Sequence, residues 1–426
     1  MTGARGGRAP SREIRDAGRI GGGARGGRRG VSAGSGDGAV TAWVQEEIEA
    51  GGWVRAGAAT AQRLRERYGA DAVADLSLGQ PLEAPEAVRQ AFMRAAAAVR
   101  PRRFGYMPNL GYPELRERIA GDVDVAGVTA QSVAVTVGAA GAISMALRAF
   151  VEAGSEVVVI APYFSEFRLY SEVCGHRLRV AGSAEDGSLD LDAIAAALND
   201  ATGALILNTP CNPSGHVATE EEMRGLALVL RAHSARGGRP VLLVVDEVYR
   251  RLIYPPHRRV EPFHHYEHSV LCRSFSKDLG VAGERIGYLA LHSSLTGAES
   301  EAGLALCQRA LGYVNAPATA QLALLELQSW EATATPYRER RDIAAKAVAA
   351  AGLQAAECQG GLYLWVRSPW EDTMTFTAAL AERRAVVVPG VAFGVPDHFR
   401  ICFSVERPAL QVAARALVEA TASREK

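Results

Sequence analysis

Lys277 lies in the run Ser274-Phe275-Ser276-Lys277-Asp278-Leu279-Gly280, which leads on to Gly283-Glu284-Arg285-Ile286-Gly287. A lone lysine is most often a solvated charge. This one has small hydroxylated neighbours before it, and an arginine set between two glycines after it. Upstream, the apolar run Leu242-Leu243-Val244-Val245 ends on Asp246, and Glu247, Val248 and Tyr249 follow. An acid at that point reads either as the cap of a following helix or as a carboxylate carried at the end of a buried strand. Asn208-Thr209-Pro210-Cys211-Asn212-Pro213-Ser214-Gly215 has the composition of a turn. Thr136-Val137-Gly138-Ala139-Ala140-Gly141-Ala142 closes a strand candidate and opens a helix candidate. Its free N–H groups would converge on one spot and suit a phosphate, although such a run is also an ordinary tight connection. Arg400, in His398-Phe399-Arg400-Ile401-Cys402-Phe403, alternates with its apolar neighbours and so points to the opposite face of a strand. It is either a solvated edge residue or a planar fork for a carboxylate.

Taken in order, these motifs resemble the class I/II aminotransferases, pyridoxal-phosphate enzymes of the aspartate aminotransferase superfamily, from about Leu76 to about Pro408. The resemblance implies pyridoxal 5'-phosphate (PLP) as cofactor. It makes Lys277 the residue that forms the internal aldimine and later moves the substrate Cα proton. Asp246 would keep the ring nitrogen protonated, which makes the ring an electron sink, and Tyr249 and Asn212 would reach its phenolic oxygen. The backbone at Gly138, Ala139 and Ala140 would hold the phosphate together with Ser274, Ser276 and Arg285. Ala139 and Ala140 stand where relatives often carry Ser, Thr or Gln, so this loop would offer backbone donors only. Phe164 matches the aromatic that stacks on the ring. Tyr163 takes its place after a one-residue slip, and either is otherwise core. Arg400 would grip the substrate α-carboxylate, with Asn212 beside it and Gly79 letting the backbone approach. A cationic ring and Arg285 near Lys277 would lower its basicity. Tyr106 resembles the tyrosine that reaches a neighbouring subunit's phosphate, which implies a homodimer with shared active sites.

The activity so implied is exchange of an amino group between an α-amino acid and a 2-oxo acid. The same scaffold also carries lyases, cyclases and replacement enzymes of specialised metabolism, such as those resembling 1-aminocyclopropane-1-carboxylate synthase or capreomycidine synthase, and the cofactor motifs do not separate them. A regulator with a dead aminotransferase domain would carry a helix-turn-helix unit, which the Gly/Arg-rich residues 1–38 cannot form. Arg309, near Asn315-Ala316-Pro317, does not align with the second arginine of dicarboxylate enzymes. Aspartate or glutamate is therefore not expected as the dedicated donor.

To position these groups the chain needs a sheet. Strand candidates at Val133–Val137, Glu156–Ile160, Ala204–Asn208, Val241–Val245, Val270–Ser274 and Ile286–Leu291 alternate with helical stretches at Ala142–Glu152, Leu191–Leu198 and Glu220–His233. That alternation predicts an α/β fold with a mostly parallel sheet covered on both faces, and ligands beyond the carboxyl ends of the strands. Ala42–Leu64 reads as one helix with Trp43 and Ile48 as apolar anchors. Ala74–Asp75 opens a short strand, and a long helix runs from Ala316 past Arg341. Short strands at Gly361–Trp365, Ala385–Val388 and Phe399–Ser404 and a last helix at Ala409–Ala420 follow. The resemblance makes this a fold-type-I PLP-transferase. Residues 76–315 would form the large domain and 316–426 a smaller α+β domain, joined by 39–75.

Length and composition bound the rest. With 426 residues and a formal net charge of +0 the chain can build two cores and advertises no nucleic acid, membrane or acidic partner. The six cysteines are scattered with no Cys-x-x-Cys pair, which argues against a metal site and a disulfide framework and for a reduced, cytoplasmic protein. Residues 1–38 lack apolar anchors, which predicts disorder. Arg28-Arg29 has no apolar segment after it, so it does not read as an export signal.

Overall fold

The computed structural model describes residues 40–49, 52–98, 105–237, 239–331 and 333–423. The disorder expected for 1–38 and the Arg28-Arg29 pair lie outside them. The described chain opens with α1 (Ala42–Glu49), α2 (Trp53–Tyr68), β1 (Ala74–Asp75), α3 (Glu86–Ala97) and α4 (Pro113–Val123). It continues through β2 (Val133–Thr136), α5 (Gly138–Phe150), β3 (Glu156–Ile160), α6 (Glu166–Val173), β4 (Arg177–Ala181), α7 (Leu191–Ala197), β5 (Thr202–Asn208) and α8 (Glu220–Ala235). Next come β6 (Leu242–Asp246), β7 (Ser269–Ser274), β8 (Gly287–Leu291), α9 (Ala298–Ala310), α10 (Ala318–Glu326) and α11 (Thr335–Ala350). The last elements are β9 (Tyr363–Arg367), α12 (Thr373–Glu382), β10 (Ala385–Val386), β11 (Val388–Pro389), β12 (His398–Cys402) and α13 (Arg407–Ala422).

Seven strands form one sheet in the order β2-β8-β7-β6-β5-β3-β4, and only β8 runs against its neighbours. Its central strands are apolar on both faces, as strands covered by helices on both sides must be. Strands β6 and β7 illustrate this: Leu243, Val245 and Leu271 pack with Leu226 and Leu230 of α8, while Val244 and Val270 pack with Ile143 and Leu147 of α5.

β4 had no counterpart among the strand candidates. Its sequence Arg-Leu-Arg-Val-Ala is largely exposed, and Arg177 and Arg179 pair with Glu156 on the neighbouring strand. An edge strand guarded by charge carries little apolar signal.

Beyond this sheet, β11, β12 and β9 form an antiparallel sheet, and β1 pairs in parallel with β10, joining Ala74 to Ala385 far along the chain. The single strand expected at Ala385–Val388 is therefore two, one in each small sheet. The long helix expected from Ala316 also divides. Pro336 occupies the first turn of α11, where a missing N–H is harmless, whereas a helix continuing through it would lose a hydrogen bond and clash.

The expected Ala42–Leu64 helix breaks too, and Gly52 stands at the start of α2. Trp43 and Ile48 are exposed, not apolar anchors. α1 is held instead by polar contacts to α6: the Trp43 indole N–H donates to Glu172 at 3.1 Å and Glu47 pairs with Arg168. Among the described residues no helix is long and apolar enough to cross a membrane.

Candidate active site

Asp246 ends β6 and Asn208 ends the adjacent β5, opposite it in register. No helix follows Asp246, so the capping alternative does not apply. Its side chain accepts only a long bond from the Val248 N–H at 3.3 Å. Burial pushes the carboxyl up to about 7, helped by Glu247 next to it and opposed by the Val248 N–H and by Lys277. A buried carboxylate so poorly neutralised by its own chain calls for a cationic partner.

Lys277 follows β7. Its Nζ donates to the Gly79 carbonyl at 2.6 Å. Burial brings its pKa down to about 8, with smaller contributions in the same direction from Arg400 and Arg285, while Cys402 and Asp246 oppose the shift. Desolvation is thus the main cause, where the sequence pointed to Arg285 and a cationic ring. The residues immediately after the two functional groups are anchored behind them. Glu247 accepts Arg273 Nε at 2.8 Å and Arg259 Nε at 2.6 Å, and Asp278 pairs with Arg251 at 2.7 Å. Asp122 links Arg250 and Arg251 into the same network, where they are partly buried.

The anion cradle assembles from three segments. α5 starts at Gly138, whose φ of +78° favours glycine, and no side chain caps its first turn. A Cβ on Gly138 would lie 2.7 Å from Arg285 Nη2, and one on Gly287 would lie 2.8 Å from Gly138 Cα. The glycines thus let a guanidinium close on the free N–H groups of Gly138, Ala139 and Ala140. Arg285 itself donates to the carbonyls of Ala282 and Val137 at 2.9 and 3.2 Å. Ser274 Oγ and Ser276 Oγ stand 2.7 Å apart at the end of β7, which β8 joins to the Arg285 turn. Backbone N–H groups at a helix start, a guanidinium and two hydroxyls fit a phosphate dianion.

Arg400 is buried to 1 % exposure, not a solvated edge residue. Its Nη1 donates to Asn212 Oδ1 at 2.9 Å and its Nη2 to the Ser77 carbonyl at 2.5 Å, while its buried Nε has no partner. Asn212 is therefore committed through its oxygen, which leaves its amide hydrogens for another acceptor. Tyr249 is buried, and its hydroxyl lies 3.1 Å from that of Tyr363.

Phe164 is half-buried, edge-to-face with Phe167 at 5.6 Å. The neighbouring Tyr163 donates its N–H to the Phe393 carbonyl and touches the Gly394 position. Tyr106 lies apart, 97 % exposed, beside a groove lined by Met107, Asn109, Leu306, Arg309 and Asn315.

Three contributors were absent from the sequence reading: Tyr363, the Ser77 carbonyl, and Tyr170 of α6, whose phenol is shifted up by burial, then by Glu166 and Asp246. Alternation in Tyr363-Leu364-Trp365 marked a strand but not its inward face, and a carbonyl leaves no trace in residue type.

These groups fit PLP on their own chemistry: an under-neutralised acid for a ring nitrogen, a weakly basic amine for an aldehyde, and a cradle for phosphate. The relatives agree. A profile for aminotransferase class I and II matches residues 71–417. The aspartate/prephenate aminotransferase of Thermus thermophilus is 31% identical over 376 residues, covering 82% of this chain and 92% of its own. A probable N-succinyldiaminopimelate aminotransferase of Mycobacterium tuberculosis is 32% identical over 314 residues, covering 68% and 75%. Among solved structures, an amino transferase from Eubacterium rectale superposes with a TM-score of 0.85 at 28% identity, covering 91% of this chain and 100% of that one. Aspartate aminotransferase from Thermus thermophilus with maleate gives 0.78 at 27%, covering 88% and 98%. The chain belongs to the class I and II aminotransferases and is a PLP-dependent enzyme of the fold-type-I class.

Proposed function

We propose that this aminotransferase works through Lys277, which carries PLP in the resting enzyme and moves a proton at the substrate Cα during exchange between an α-amino acid and a 2-oxo acid. PLP supplies an aldehyde that condenses with amines and a protonated ring that takes up the electrons of the broken Cα–H bond. Asp246 would hold the ring nitrogen's proton, and the cation so formed would relieve the cost of its buried carboxylate. Tyr249 and the Asn212 amide would donate to the phenolic oxygen. Ser274, Ser276, Arg285 and the N–H groups at Gly138, Ala139 and Ala140 would hold the phosphate. Phe164 would cover the ring face. Arg400, with Gly79 beside it, would take the α-carboxylate with the guanidinium hydrogens that Asn212 and Ser77 leave free. Lys277 is uncharged above about pH 8, so its Nζ can accept the Cα proton and return it. The observation that carries this reading is geometric: Lys277 Nζ sits on the Gly79 carbonyl at 2.6 Å, two residues from the Ser77 carbonyl that holds Arg400, so the amine and the buried guanidinium share one short loop.

The division into residues 76–315 and 316–426, with 39–75 joining the latter, is supported by the pairing of Ala74 with Ala385. A homodimer is supported by the exposed Tyr106 groove, and a reducing, cytoplasmic setting by the six free cysteines. The name of the Thermus thermophilus relative puts aspartate and prephenate at the head of a substrate panel, against the expectation drawn from Arg309 that aspartate is not the dedicated donor.

Borohydride reduction followed by peptide mapping should put the pyridoxyl label on Lys277, and mixing with a competent amino acid should convert the cofactor to its amine form with release of the 2-oxo acid. A label on another lysine would remove the assignment. An eliminated product in place of the 2-oxo acid would remove the transfer reaction.

A further inference from the structure

Tyr363 touches three of the groups in the site. It leads β9, and the antiparallel register sets Cys402 opposite Tyr363 and Arg400 opposite Trp365. Tyr363 and Arg400 are therefore diagonal neighbours on one face of the sheet, within reach of long side chains. The Arg400 guanidinium carbon lies 4.3 Å from the Tyr363 ring centroid and 4.8 Å from that of Phe393. A desolvated cation packed against ring faces is attracted by their quadrupoles as well as confined by them. Asn212 and Ser77 hold the guanidinium at its edge, so rings and hydrogen bonds fix it along different directions.

At the far end of the same ring the hydroxyl meets that of Tyr249, and the two rings stand edge to face at 6.0 Å and 86°. Gly79 closes the third side. A Cβ there would fall 1.9 Å from the Tyr363 hydroxyl oxygen, so only glycine lets this backbone pass while its carbonyl receives Lys277 Nζ.

We propose that Tyr363 is a positioning residue with two separable tasks: its ring holds the plane of the Arg400 guanidinium, and its hydroxyl turns the Tyr249 hydroxyl toward the cofactor. The proposal rests on the reading above, in which Arg400 meets the substrate carboxylate and Tyr249 the phenolic oxygen. Each phenol carries one proton. When Tyr363 donates, its proton fills the 3.1 Å contact and the Tyr249 proton is left free to point elsewhere. Removing the Tyr363 hydroxyl removes the partner that fixes that rotor, without touching the ring beneath Arg400.

The test uses the full chain with two probes, PLP and propionate, a carboxylate without an amine. Tyr363→Phe keeps the ring and is expected to leave propionate affinity unchanged. It should shift the visible absorption maximum of the loaded enzyme and raise the PLP dissociation constant about fivefold. Tyr363→Leu should add to this an about tenfold loss of propionate affinity. A Phe variant with the parent's spectrum and PLP affinity overturns the proposal by itself, whether or not the Leu variant folds. So does a folded Leu variant that binds propionate like the parent. Arg400→Lys separates the two levels of inference. If it binds propionate as tightly as the parent, the carboxylate reading falls and takes this proposal with it. If it binds poorly while both Tyr363 variants behave as the parent, only this proposal falls.

Discussion

Asp246 and Lys277 approach neutrality from opposite sides. Burial raises the acid to about 7 and lowers the amine to about 8. For the acid, the folded pKa exceeds the unfolded one, so the folded chain binds more protons between about pH 4 and 7, and its stability falls as pH rises through that window. A shift of this size corresponds to on the order of 4 kcal/mol. Thermal unfolding of the cofactor-free chain should therefore show Asp246→Asn gaining on the parent from pH 4 to 7, with the difference flat above. Added PLP should stabilise the parent more than the variant. Equal pH profiles for parent and variant would mean that the carboxylate is not held neutral by burial. The sequence brought Asp246, Lys277, Asn212, Arg285 and Arg400 to attention because each sits in a short local pattern. Tyr363 and the Ser77 carbonyl escaped because their contacts are made across β9, β12 and the loop after β1, and a distant partner leaves no mark on local spacing.

At the scale of elements, the ends of β6 and β7 are fixed by charge as well as by packing. Glu247 and Arg273 are both buried to 1 % exposure, and the arginines around Glu247 hold its carboxyl down to about 2 against the cost of burial. Breaking a buried pair from one side leaves the other charge uncompensated, at about 3–5 kcal/mol. Glu247→Gln should therefore lower denaturant stability by about that much, and a loss below about 1 kcal/mol would assign the pair the weight of a surface contact. Fold legibility follows the same lines. The central strands were readable from their apolar runs because both faces are covered. β4 was not, since its exposed arginines resemble a loop, and the two helix starts marked by Gly52 and by Pro336 fall within longer stretches of helix-forming residue types.

At the scale of the whole molecule, the groove beside Tyr106 is the surface on which self-association is expected. Leu306, 59 % exposed there, is outside the site and has no buried role. Leu306→Asp would bury a charge if that face pairs with a second copy, and sedimentation should then show the dimer dissociating at about tenfold or more lower dilution than the parent. A parent chain that does not self-associate, or a variant that does so equally well, would remove this face as an interface.

The parallel pairing of Ala74 with Ala385 also sets an order of events during synthesis. The strand that receives β1 is made some three hundred residues after it, roughly 15–60 s later at ordinary translation rates. Until then Ala61, Val73 and Ala74 lack the Val386 side that buries them. The helix that must wait alongside them carries Arg55, Arg63, Arg65 and Arg67, a charged stretch suited to remaining in water while the last part of its own partner surface is still on the ribosome.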